Sequence, residues 1–242
     1  MDVMHSKRKK SALVAAGAIA FLISGTISGS AQADSEEPVD TEQLALTEFR
    51  DNLVTEDRGE DVQKFDGLND GQRTNLADYL LGETPATFTP PSDAEVEYDE
   101  NGVRYTRGDF TWGVPNEMPT VGMRAAGNSM WGTQWFSFAG IKLIETKLSM
   151  TYTVGWDPNR GSVITGIQSY NCYVTQDADI FAEVTASNAK AWPNGWEAVA
   201  ECEVTVRRGA PTPWGQVTWS SRTGVQYLVG DNTGMVVAHG WR

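Results

Sequence analysis

Histidine is the side chain best suited to move a proton near neutral pH, and this chain of 242 residues has two, His5 and His239. His5 lies in a leader expected to be removed, which leaves His239 alone in a strand-like run near the C-terminus. A serine nucleophile would need such a base, yet no Gly-x-Ser-x-Gly elbow occurs in the sequence. His and Cys are too few to build a zinc site, and no phosphate loop or dinucleotide fingerprint is present. The sequence therefore nominates no catalytic residue, no metal site and no cofactor.

Carboxylates are the other groups that could do chemistry. Asp177, Asp179 and Glu183 lie close together, and alternation along one continuous strand would set all three on one side. Such a row could bind Ca²⁺ or supply the acid and nucleophile of a glycosidase; the plainer expectation is a solvated turn and strand face. Asp157-Pro158-Asn159-Arg160-Gly161 shares the opening of a calcium loop. Its glycine comes one place early and position twelve is Gln168 in place of Glu, so the segment reads as a turn.

Tryptophan supplies the strongest binding signal. All nine indoles fall between Trp112 and Trp241, several of them beside turn residues, as in Trp192-Pro193-Asn194-Gly195-Trp196 and Pro213-Trp214-Gly215. A flat indole held at a turn can stack on a sugar ring while a neighbouring amide bonds the hydroxyls. Trp192, Trp196, Trp214 and Asn194 are the nominated binding residues, and the remaining tryptophans are expected to fill the core.

These residues must be positioned by a β-rich framework. From residue 94 onward the pattern has period two, with turn chemistry at Asp99-Glu100-Asn101-Gly102, Asp157–Gly161, Pro193-Asn194-Gly195, Arg222-Thr223-Gly224 and Asp231-Asn232-Thr233-Gly234. Strands are expected at 94–98, 103–107, 134–154, 162–174, 180–186, 196–206, 216–220, 225–229 and 235–239, with 113–132 as an irregular Gly/Pro/Met-rich stretch. The expected fold is mainly β, an antiparallel β-sandwich or partly open barrel preceded by a short acidic α-helical segment. Cys172 and Cys202 each sit on the apolar side of an alternating run and are expected to form one disulfide.

The N-terminus carries a basic run, Lys7–Lys10, an apolar stretch from Ala12 to Ile23, and Ala31-Gln32-Ala33. These are the three parts of a secretory signal peptide, residues 1–33, with cleavage expected after Ala33. The apolar stretch is shorter than the roughly 20 residues of a permanent span. Residues 34–92 form the acidic helical segment and linker, and 93–242 the sandwich domain. Helices are expected from Asp40 to Thr55, capped by Asp40, and from Asp70 to Leu81, stopped by Gly82. Residues 34–101 hold 20 acidic and 4 basic residues, whereas residues 102–242 hold 11 of each. Neither part has the cationic excess that binds nucleic acid.

Together these features lead us to expect a secreted, extracellular, noncatalytic protein whose partner is a glycan or another cell-surface component. Two alternatives have weaker sequence support. The alternating Ser/Thr-rich run Lys147–Thr153 would suit a membrane-acting β effector, and the carboxylates would suit a glycosidase or a zymogen with residues 34–91 as its pro-segment.

Overall fold

The structure, a computed structural model, describes residues 40–84, 89–99, 102–115, 128–212 and 215–242, and of residues 210–219 the backbone alone. Three helices precede ten strands. Helix α1 (Thr41–Thr55) starts where Asp40 accepts the Gln43 N–H at 3.2 Å, and it buries Ala45, Leu46, Phe49 and Leu53. Helix α3 (Asp70–Leu80) opens with a reciprocal capping box between Asn69 and Gln72. It ends before Gly82, whose φ of 85° is the left-handed stop read from the sequence. Between them lies α2 (Gly59–Asp66), not anticipated from the sequence, which buries Phe65.

The strands follow a simple meander. β1 (Glu95–Asp99), β2 (Gly102–Arg107), β3 (Phe110–Pro115), β4 (Asn128–Phe138), β5 (Ile141–Asp157) and β6 (Gly161–Asp177) pair in chain order as one antiparallel sheet. The chain then crosses to a second sheet, in which β7 (Ala182–Asn194), β8 (Glu197–Thr212), β9 (Gly215–Asp231) and β10 (Val236–Trp241) again pair in order. The fold is thus mainly β, with two antiparallel sheets of six and four strands packed as a sandwich. Leu148, Met150 and Tyr152 of β5 face Ala200, Val204 and Leu228 of β8 and β9 in one core. Cys172 of β6 and Cys202 of β8 form the expected disulfide between the sheets.

Several strand boundaries differ from the sequence reading, among them the ends of β7 and β8, which run on to Asn194 and Thr212 where 186 and 206 were expected. The run 134–154 is split into a hairpin at Ala139 and Gly140, whose φ values of 46° and 79° make the two-residue turn. Alanine is a rare residue at positive φ, so the turn carries little sequence signal. Part of the stretch 113–132 is strand, because Gly113 on β3 lies beneath the Trp135 ring: a Cβ there would come within 1.9 Å of the indole. Arg222-Thr223-Gly224 is no break, since β9 passes through it in unbroken register with Val206, Thr205 and Val204 of β8.

The helices close one end of the sandwich. Gln72 and Asn75 donate to the Asp109 carboxylate at the β2–β3 turn, both at 3.0 Å, and Lys64 donates to the Gly140 carbonyl at 3.0 Å. Tyr79 packs on Phe110 and Phe136 with ring centroids 5.4 and 5.7 Å apart. Arg208 of β8, only 2 % exposed, stacks on the Tyr79 ring at 3.9 Å and donates to the Tyr79 carbonyl at 2.7 Å. The same guanidinium pairs with the buried Asp179 carboxylate. Val39–Arg242 forms one compact unit, in which the helices share the core of the sheets.

Candidate functional site

The meander puts the β5–β6, β7–β8 and β9–β10 turns at the end of the sandwich opposite the helices. Side chains and backbone clasp these turns together across the two sheets. The Ile164 N–H of β6 donates to the Gly195 carbonyl at 3.0 Å, and the Asn232 amide donates to the Ser162 carbonyl at 2.7 Å. The Tyr152 hydroxyl donates to the Asp231 carbonyl at 2.5 Å, and burial pushes its pKa up to about 12. Two of the turns are also braced internally. Asp157 accepts the N–H groups of Asn159 and Arg160 at 2.8 and 3.0 Å. Asp231 accepts the N–H groups of Thr233 and Met235 at 2.8 and 2.9 Å. Burial alone would raise Asp231, but the Thr233 hydroxyl and these N–H groups outweigh it and hold its carboxyl below the usual range.

Two indoles stand on this clasped end. Trp196 follows Gly195 in the two-residue β7–β8 loop, where Gly195 has φ 69°. It is 59 % exposed, and its Nε1–H donates to the Arg160 carbonyl at 3.4 Å, which orients the ring toward the β5–β6 turn. Trp156, at 77 % exposure, stands at the start of the same turn, with its ring beside Gly161 at the turn's other end. The sequence reading does not single out Trp156, although its adjacency to Asp157-Pro158-Asn159 is the same signal that marks Trp196. Asn194 is exposed at the end of β7 and reaches Glu197 at 3.5 Å.

Trp192 lies elsewhere on β7. It pairs with Val199 on the outward face of the four-stranded sheet, half-buried, with the Lys190 ammonium 5.6 Å from its ring centroid. Trp214 falls outside the described residues. The structure thus brings Trp196 and Asn194 to one end, adds Trp156, and sets Trp192 on an adjoining face.

The proposed carboxylate row is not formed. Residues 178–181 interrupt the strand, so Asp177 ends β6, Asp179 is buried against Arg208, and Glu183 is exposed on β7. Burial pushes the Asp179 carboxyl up, against the pull of Arg208. Arg208 was missed because the sequence reading ends this strand at Val206, whereas β8 runs on and Arg208 continues the buried side of Cys202, Val204 and Val206. His239 points between the sheets, where its Nδ1 has no hydrogen-bond partner among the described residues and a Cβ on Gly132 would lie 3.1 Å from it. Burial lowers its pKa, outweighing a backbone hydrogen bond at Pro115 that raises it. No group of three His, Cys, Asp or Glu side chains is gathered for a metal among the described residues. No helix among them is long and apolar enough to cross a membrane.

Comparison with protein-family models, curated proteins and solved structures gives no match.

Proposed function

We propose that this chain is exported and works outside the cell as a noncatalytic binding protein, recognising glycan through the turn end that carries Trp156 and Trp196. The observation that carries this reading is the pair of exposed indoles flanking a single turn, one of them oriented by its own Nε1–H. A flat ring held exposed on a braced scaffold is ready to stack on a ligand, and bracing lowers the entropy lost on binding. Asn194, Asn159 and the carboxylates of Asp157 and Glu197 lie on the same turns and offer partners for sugar hydroxyls.

The glycosidase reading loses its motivation, because Asp179 is committed to Arg208 and the three carboxylates do not share a face. The run 147–153 has one side in the core between the sheets, as in an ordinary half-solvated sheet. Retention of the exported protein on insoluble glucans and cell-wall material tests the proposal. Saturable retention with a change in tryptophan emission supports it, and passage through every glycan matrix sinks it. Mass spectrometry of the mature N-terminus checks export, with Asp34 as the expected first residue.

A further inference from the structure

Resting on the glycan-binding reading, we infer that the ligand of the turn end is a neutral, hydroxyl-rich polysaccharide and not a polyanionic one. The three clasped turns and the residues that open β8 carry Asp157, Glu197 and Asp231 against the one basic side chain Arg160. Asp157 and Glu197 are the chain neighbours of Trp156 and Trp196, and Asp231 lies opposite Glu197 in the register of β8 and β9.

Each carboxylate is engaged through one oxygen. Asp231 accepts the N–H groups of Thr233 and Met235 and the Thr233 hydroxyl, the last at 2.7 Å, all through Oδ1. It stays ionised and acts as fixed negative charge. Asp157 accepts two backbone N–H groups through Oδ1. Glu197 receives one long contact from Asn194 through Oε2. The second oxygen of each is a charge-assisted acceptor for a hydroxyl donor.

A sugar hydroxyl can donate to such an oxygen, whereas the ionised carboxylate of a uronate or a phosphodiester group cannot and is repelled by it. The Debye length of about 8 Å at physiological ionic strength keeps this repulsion local to the end, so the wider acidity of the chain is not needed for the argument. The Trp196 Nε1–H is already engaged by the Arg160 carbonyl, so this ring offers its face and not its donor. That favours the C–H face of a neutral pyranose.

The test compares binding of the full exported chain to a neutral β-glucan and to an anionic wall polymer, each at low and high salt, with Glu197→Gln in parallel. The expected result is tighter binding to the neutral polymer, little change with salt, and a loss of about 3–10-fold for Glu197→Gln as a charge-assisted bond becomes a neutral one. Tighter binding to the anionic polymer, weakening with salt and improving in Glu197→Gln, overturns this inference while leaving glycan binding itself intact. Binding to neither polymer overturns the broader reading as well.

Discussion

Replacing Arg208 by Met removes a charge while nearly keeping the volume, and so measures how the helices are held on the sandwich. In the native protein the guanidinium pairs with Asp179, donates to the Tyr79 carbonyl at the end of α3, and stacks on the Tyr79 ring. Both charged side chains are almost wholly removed from water. The variant leaves the Asp179 carboxyl buried without its counter-charge, a change that typically costs about 3–5 kcal/mol. For a unit of this size that is a fall in Tm of roughly 6–20 °C. Urea titration and thermal melts read it directly.

The carboxyl adds a second signature. Its folded pKa in Arg208→Met lies above the unfolded value, so the folded state takes up a proton first and stability recovers as the pH is lowered. Replacing Asp179 by Asn in the Arg208→Met background should restore much of the loss, because the unpaired charge is then gone. A loss below about 1 kcal/mol, the size of an exposed pair, would refute the reasoning. So would a double variant no more stable than Arg208→Met.

Gly113→Ala should cost about 1–3 kcal/mol and shift tryptophan emission, since its Cβ would meet the Trp135 ring at 1.9 Å; an unchanged spectrum and midpoint would mean the ring has room to move. His239 has a folded pKa below its unfolded value of about 6.5, so the unfolded chain binds the proton first and stability should fall on acidification from about pH 7 through 6.5. His239→Leu should flatten that slope, and a variant with the native slope would remove His239 as its source. Replacing Cys172 and Cys202 by Ala opens a cross-link between residues 30 apart and should lower stability by roughly 3–4 kcal/mol, measured by urea titration against the oxidised protein.

Much of this fold is written in local chemistry. Asp40 and Gly82 mark the two helices because capping and left-handed stops depend on a residue or two. The alternation around Cys172 and Cys202 pointed both sulfurs inward for the same reason. What was not legible depends on contacts distant in sequence. Gly113 reads as a loop residue until Trp135 is laid across it, and Arg222-Thr223-Gly224 reads as a turn until β8 pairs with it. Arg208 continues the inward alternation of Cys202, Val204 and Val206, but what allows a charge to be buried there is not local, because its partners Asp179 and Tyr79 come from a loop and from a helix. At the candidate site, adjacency of tryptophan to turn residues found Trp196 and also marked Trp192, which the outward face of β7 carries away from the turn. That Trp196 reaches the turn that follows Trp156 depends on the packing of the two sheets, which period-two alternation does not encode.

The central claim is that the two exposed indoles form the binding surface. Its most direct test is glycan retention by the exported protein with Trp156→Ala and Trp196→Ala combined, beside Trp131→Ala on the outer face of the six-stranded sheet as a control. The account predicts at least about a tenfold loss of affinity in the double variant, as expected for central aromatic contacts, with an unchanged melting temperature and native affinity in the control. Native affinity in the double variant, or an equal loss in Trp131→Ala, would contradict it.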